Sequence, residues 1–139
     1  MAELCGVVGI GQTKHDAKRI DVSTAGLVRE AAHRALEDAD CTWKDIDAIV
    51  IGKAPDMFEG VMMPELSLAD ALGAVGKPIL RVHTAGSVGG STALVAASLI
   101  QAGVHQRVLT VAYEKQSEGN AMWALTIARP FSVAVVAGA

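Results

Sequence analysis

Residues 87–102 read Ser-Val-Gly-Gly-Ser-Thr-Ala-Leu-Val-Ala-Ala-Ser-Leu-Ile-Gln-Ala and carry no charged side chain at any position. Gly103 follows, and glycine is the residue that most easily closes a helix. A surface helix shows a polar stripe opposite its apolar one. This one has none, and small residues fall on every face. The sequence predicts a helix buried on both sides, with close backbone approach, lying between two sheets. The chain supplies strands for one sheet only. The second layer is therefore expected from residues past Ala139 or from another subunit. Residues 131–139 are apolar with no polar stop, which predicts a chain cut in mid-fold.

Around this helix the hydrophobic pattern alternates between short apolar runs and helical spacing. Residues 4–10, 46–52, 78–83 and 107–113 read as buried strands. Asp21 and Ser23 offer N-caps to an amphipathic helix. Leu27, Val28, Ala31, Ala32, Ala35 and Leu36 form its apolar face, opposite Arg29, Glu30, His33, Arg34 and Glu37. Residues 64–72 read as a short helix, opened by Pro64 and followed by Gly73. Residues 56–63 form a loop with the reach of a flap. The order βαβαβαβ predicts an α/β fold with a mostly parallel sheet. All 139 residues read as one domain, without repeat or linker.

Composition narrows the function classes. Hydrophobic residues make up 51% and charged residues 19%, which is globular. A net charge of −3 favours neither nucleic acid nor an anionic membrane surface. The start of the chain has no basic n-region. The longest apolar stretch, 92–104, is broken by Ser98 and Gln101 and is too short to span a bilayer. A cytoplasmic protein is expected. Cys5 and Cys41 belong to no metal or CxxC pattern, so free buried thiols are expected and no metal site.

The chemistry points to one place. The strand at 78–83 runs into Thr84-Ala85-Gly86-Ser87-Val88-Gly89-Gly90-Ser91-Thr92 and then the uncharged helix. Amide groups and the helix dipole favour negative charge at such a turn. A P-loop is excluded, because no Gly-Lys-Ser/Thr follows the glycines. Ala85-Gly86-Ser87-Val88-Gly89 has the form of a nucleophile elbow with Ala in the first place, which would make Ser87 the nucleophile. The glycines could equally serve close packing alone. His83, just before the turn, reads as a base, a donor to a carbonyl, or a structural histidine. His15, His33 and His105 are expected to be exposed. Glu114 and Lys115 are expected to brace the end of the last strand as a pair. Met57, Met62 and Met63 read as core or as a channel lining, and Met122 and Trp123 as core or interface.

Four segments carry a family resemblance over essentially the whole chain. Residues 78–103, with Gly90-Ser91-Thr92-Ala93-Leu94, resemble the nucleophile segment of sterol-carrier/lipid-transfer-type thiolases. Val7-Val8-Gly9-Ile10-Gly11-Gln12-Thr13-Lys14 is similar to that family's first strand and loop. Leu68-Ala69-Asp70-Ala71-Leu72-Gly73 is similar to the helix before the nucleophile strand. Val108-Leu109-Thr110-Val111-Ala112-Tyr113-Glu114-Lys115 is similar to the fourth strand and its ending. The resemblance implies a layered αβαβα fold, of which residues 1–139 are the N-terminal thiolase-like part. It implies a coenzyme A thioester substrate, no permanently bound cofactor, and a homodimer formed along the strand at 79–83.

One departure changes the chemistry. The family's cysteine falls on Ser87 counting back from Ser91-Thr92-Ala93-Leu94, and on Gly86 counting forward from Val82. Neither is a cysteine, and an acyl-transferring thiolase needs a thiolate. The resemblance then implies an aldol-lyase-like enzyme of lipid or steroid side-chain breakdown, of a kind that works with a small zinc-ribbon/OB-fold partner. Its site would comprise Ser87 and His83 as catalytic residues, with Gly86, Gly89, Gly90 and Ser91 binding substrate. Alternatives are an acetyl-CoA acyltransferase using another residue, and a non-catalytic partner subunit of an active homologue.

Overall fold

The structure, a computed structural model, describes residues 4–53, 61 and 63–115. Helix α1, Thr24–Asp38, comes first, followed by a 3-10 turn at Trp43–Asp45 and strand β1, Ala48–Gly52. A single helical turn, α2, covers Pro64–Ser67. Strand β2, Ile79–Val82, leads through a 3-10 turn at Ala85–Ser87 into helix α3, Val88–Gln101, and strand β3, Val108–Ala112, follows. The three strands form a parallel sheet in the order β2-β1-β3, with Ile49 opposite both Ile79 and Leu109. The α/β class and the parallel sheet are as expected.

β1 is buried at every position, as the middle strand of a sheet covered on both faces must be. Its side chains alternate between two layers. Ile49 and Ile51 join Val28, Ala32 and Leu36 of α1, Leu68 and Leu72 of the α2 segment, and Leu109 and Val111 of β3 in the core. The opposite parity faces α3. A Cβ added at Gly52 would lie 2.1 Å from Thr92 Oγ1 and 2.7 Å from Val88 Cγ2, so only glycine lets α3 lie this close.

Ser23 caps α1, its hydroxyl accepting from the Gly26 amide at 3.1 Å. Asp21, the other expected cap, instead pairs with Arg19 Nε at 2.9 Å. The helix expected at 64–72 is one turn long. Pro64 opens it as expected, and the chain then goes through turns to Gly73, whose φ is +58°.

Residues 4–10 are not a strand. They run along α1 without joining the sheet. The Ile10 amide donates to Asp38 Oδ2 at 2.8 Å, and Arg34 donates to the Gln12 carbonyl. Glycines make this approach close: a Cβ at Gly11 would sit 2.2 Å from the Ala31 carbonyl oxygen. Leu4 and Val7 are 98% and 84% exposed, so the apolar run is not buried by the described residues. An apolar pattern reports a tendency to be covered, and a strand also needs a neighbouring edge. Cys5 and Cys41 are free but half-buried, not fully buried as expected. His15 and His33 are exposed as expected, whereas His105 is half-buried.

Asp47 joins the end of α3 to the sheet. Its carboxylate accepts from the Gln106 and Arg107 amides, both at 2.9 Å. The Arg107 amide, then the Gln106 amide, hold its carboxyl below the usual range. A depressed folded pKa means stability present above the unfolded value near 4 and lost as pH falls through the folded one. Urea midpoints should therefore drop between pH 5 and about pH 3. Asp47→Ala should start lower at pH 7 and lose less over that window. An equal acid loss in the variant would show that Asp47 does not carry it.

Candidate active site

The turn sits at the C-terminal ends of the parallel strands, where β2 stops and α3 begins. This is the edge at which α/β sheets bind ligands. Val88, Thr92 and Ala96 seat α3 on the sheet. The Thr92 hydroxyl, buried, donates to the Val88 carbonyl at 2.6 Å. The other side of the helix is open, and Leu94 is 70% exposed. The helix expected to be buried on both sides is therefore buried on one face among the described residues. The small, uncharged outer face has no layer over it there.

Thr84 organises the turn. Its carbonyl accepts from the Ser87 hydroxyl at 2.8 Å and from the Ser87 amide at 3.2 Å. Its own hydroxyl lies within hydrogen-bond distance of the Ser91 hydroxyl, 2.8 Å between oxygens, joining the strand end to the first turn of α3. The Val88 amide donates to the Ala85 carbonyl. Two of the amides expected to be open to an anion are thus engaged in the 3-10 turn, and Gly86 precedes that pair.

Ser87 stands at the N-cap of α3 with Gly86 in the preceding turn, as expected. It does not have the backbone of an elbow nucleophile. Its φ is −93°, and the residue with positive φ is Ala85, at +47°. A left-handed alanine costs about 1–2 kcal/mol. The strain thus sits two residues earlier, on a side chain with no chemistry. Ser87 also sends its proton to a carbonyl, which cannot act as a base. His83 is exposed and makes no hydrogen bond to Ser87.

Gly86, Gly89 and Gly90 do not serve close packing among the described residues. A Cβ on any of them would meet nothing within 4 Å. Adjacent glycines inside a helix cost about 2 kcal/mol relative to alanines, so their place here is not explained by packing of these residues.

At the end of β3, Lys115 is 6% exposed and its Nζ donates to the Val22 carbonyl at 2.7 Å. The expected bracing is thus to the start of α1. Lys53, which the sequence reading passed over, is 1% exposed at the end of β1. A lysine closing an apolar strand was the available signal. Clefts of about 320 and 280 Å³ lie around Lys14, Asp16 and Arg19, away from the turn. Asp21 and then Glu30 hold the Arg19 guanidinium protonated well beyond its ordinary value. Met63 is 58% exposed before α2. Met57, Met62, Met122, Trp123, most of the expected flap and the apolar segment 131–139 lie outside the described residues. Among the described residues no helix is long and apolar enough to cross a membrane, and no three His, Cys, Asp or Glu side chains gather as a metal site.

Among the described residues a three-stranded parallel sheet with a Gly-rich turn feeding an uncharged helix makes this an α/β fold with a candidate site at the strand ends, and comparison with known proteins narrows it. No family model matches the chain. Sterol carrier protein 2 of Homo sapiens is 31% identical over 116 residues, covering 82% of this chain and 21% of that protein. An acetyl-CoA acetyltransferase of Methanothermobacter thermautotrophicus is 29% identical over 116 residues, covering 81% of this chain and 29% of that protein. The crystal structure of 3-oxoacyl-[acyl-carrier-protein] synthase III from Aquifex aeolicus VF5 matches with a TM-score of 0.64 at 22% identity, over 73% of this chain and 32% of that one. This last likeness shows the fold alone. The chain belongs to the thiolase superfamily. It spans about a fifth of the length of the first of these curated relatives.

Proposed function

We propose that this chain forms the N-terminal, nucleophile-turn part of an enzyme that cleaves a C–C bond in a β-hydroxyacyl-CoA by aldol chemistry. The observation that carries the reading is the turn itself. It has no thiol at Gly86 or Ser87, and the Ser87 proton is engaged by a carbonyl instead of a base. The relatives' names support a CoA thioester, and a sterol carrier among them supports a lipid or steroid acyl group.

The step conserves atoms and electrons without a cofactor. His83 takes the proton of the β-hydroxyl. The Cα–Cβ pair moves onto the thioester as an enolate, and the hydroxyl carbon leaves as a carbonyl compound. His83 then returns the proton to Cα, giving the shortened acyl-CoA. Ser91 and the Gly86 amide receive the enolate oxygen at the head of α3, where preorganised donors are most effective. Gly89 and Gly90 leave room for the thioester.

Nucleophilic transfer, favoured by the acetyl-CoA acetyltransferase relative, requires a serine alkoxide. The helix dipole contributes about 0.5–2 kcal/mol, or about one pK unit. That does not bring a hydroxyl many units above neutrality into range. The full-length protein incubated with a 3-ketoacyl-CoA should show no mass increase on residues 84–90. Ser87→Ala should retain β-hydroxyacyl-CoA cleavage within about tenfold, or about 1.4 kcal/mol. An acyl group on Ser87, or complete loss of activity in a folded Ser87→Ala, restores acyl transfer. A folded wild type inert towards both substrates restores the non-catalytic subunit.

Among the described residues β2 is an edge strand that carries Ile79, Leu80 and Val82, and its one charge, Arg81, lies 3.6 Å from Glu65. An apolar edge of this kind is an aggregation hazard unless covered. A second copy paired along β2 is the proposed cover, giving a cytoplasmic homodimer. Light scattering of the full-length protein should give twice the monomer mass. A stable monomer removes the dimer, and a zinc-ribbon/OB-fold partner on that edge replaces it.

A further inference from the structure

We propose that residues 11–22 form a strap over the end of β3, latched by Glu30 of α1, and that releasing the latch lets the strap lift as a unit and uncovers Lys115. The proposal goes beyond the lyase reading and does not depend on it.

The strap is held at few points. Among the described residues, 11–22 make no backbone–backbone hydrogen bond. Most of their side chains are exposed, Ile20 by 91%, so apolar burial does not hold them down. Hollows lie on both sides of Arg19. The clefts of about 320 and 280 Å³ share Lys14, Asp16 and Arg19 as a common wall. The smaller one reaches Leu27, Glu114 and Lys115, so the strap is one side of it and the end of β3 the other. A segment with exposed side chains, no backbone ladder and space beneath it opens at low cost.

Side-chain bonds take the place of a ladder, and one carboxylate joins them. Glu30 Oε2 accepts from Arg19 Nη2 at 3.0 Å, in the second half of the strap. Glu30 Oε1 lies 2.8 Å from Arg34 Nη2, and Arg34 Nη1 donates to the Gln12 carbonyl in the first half. Arg19 also pairs with Asp21, but Asp21 belongs to the strap and ties it to nothing else. The Arg19 and Glu30 side chains are 14% and 26% exposed, so solvent and salt screen this pair less than a surface one. Removing Glu30 frees both halves at once. The far end of the strap meets Lys115, whose Nζ donates to the Val22 carbonyl at 2.7 Å. Lys115 is 6% exposed and follows β3 at the edge of the sheet where the turn also lies. Lifting the strap therefore opens a buried amine at the edge where α/β sheets take ligands.

The full-length protein is tested by tryptic nicking at Lys14, Lys18 and Arg19 and by N-hydroxysuccinimide acetate labelling of Lys115, read by peptide mass. Glu30→Ala keeps a strong helix former in α1. It should raise both rates together by about tenfold, because the population of the open form governs both. Sodium chloride at about 0.5 M should move wild type in the same direction and leave Glu30→Ala where it is. Glu37→Ala lies on the same helix, but Glu37 pairs with His33 at 3.2 Å, and this variant should change neither rate. Unchanged rates in a folded Glu30→Ala, equal rises in Glu37→Ala, or rises that follow a fall in the urea midpoint overturn the latch. Nicking that rises while Lys115 labelling stays constant overturns the cover.

Discussion

Replacing Gly52 by alanine is expected to lower the stability of the protein by about 3 kcal/mol, the upper end of what overpacking a core costs. The new methyl would lie 2.1 Å from Thr92 Oγ1 and 2.7 Å from Val88 Cγ2. Neither neighbour can turn aside easily. Thr92 is β-branched, 1% exposed, and held by its bond to the Val88 carbonyl. The variant must lift α3 from β1, and the candidate site moves with it, because the turn begins at the foot of that helix. Thr92→Ala alone should cost about 1 kcal/mol through one lost buried hydrogen bond. The double variant Gly52→Ala, Thr92→Ala should recover at least 1 kcal/mol relative to the sum of the singles, as coupled neighbours do. Urea unfolding of the four proteins measures this. Strict additivity would mean that Thr92 is not the contact that sets the distance.

Leu72→Ala is expected to cost about 3 kcal/mol, within the range for emptying a closed site in a core. Leu72 is fully buried and belongs to the cluster that joins α1, the α2 segment and the sheet. Gly73 next to it is fixed in a left-handed turn, and a Cβ there would lie 3.1 Å from the Trp43 ring, so the backbone cannot settle into the cavity. Leu66, only six residues earlier, is 69% exposed. Leu66→Ala should stay within about 0.5 kcal/mol of wild type, as surface substitutions do. The ratio between the two is the measurement that matters. Equal losses would mean that the 64–72 segment does not pack by the face described.

The strands and the long helices were legible because their patterns are local. Among the described residues the β-branched runs at 46–52 and 107–113 became the middle strand and one edge of the sheet, the first shortened at its start and the second at both ends. The helical spacing predicts six apolar positions of α1 facing the core, and of these only Leu27, Val28, Ala32 and Leu36 are buried in it. Ala31 and Ala35 receive residues 9–11 instead, a contact between segments about 20 residues apart that no window of sequence reveals. The pattern at 4–10 predicts a strand for the same reason. Their composition suits one, and pairing depends on an edge elsewhere.

The sequence by itself determined the parallel α/β class, the resemblance to thiolases and the absence of a cysteine at the turn after β2. These are properties of composition and order, and they survive without coordinates. The tertiary structure decided how the turn is wired. It put the backbone strain on Ala85 instead of Ser87, turned the Ser87 proton onto the Thr84 carbonyl, and joined Thr84 to Ser91. It also made Gly52 the point where α3 rests on the sheet, and left Gly86, Gly89 and Gly90 open. A glycine reads the same in sequence whether it admits a helix or faces empty space. Only the positions of atoms far away in the chain separate the two.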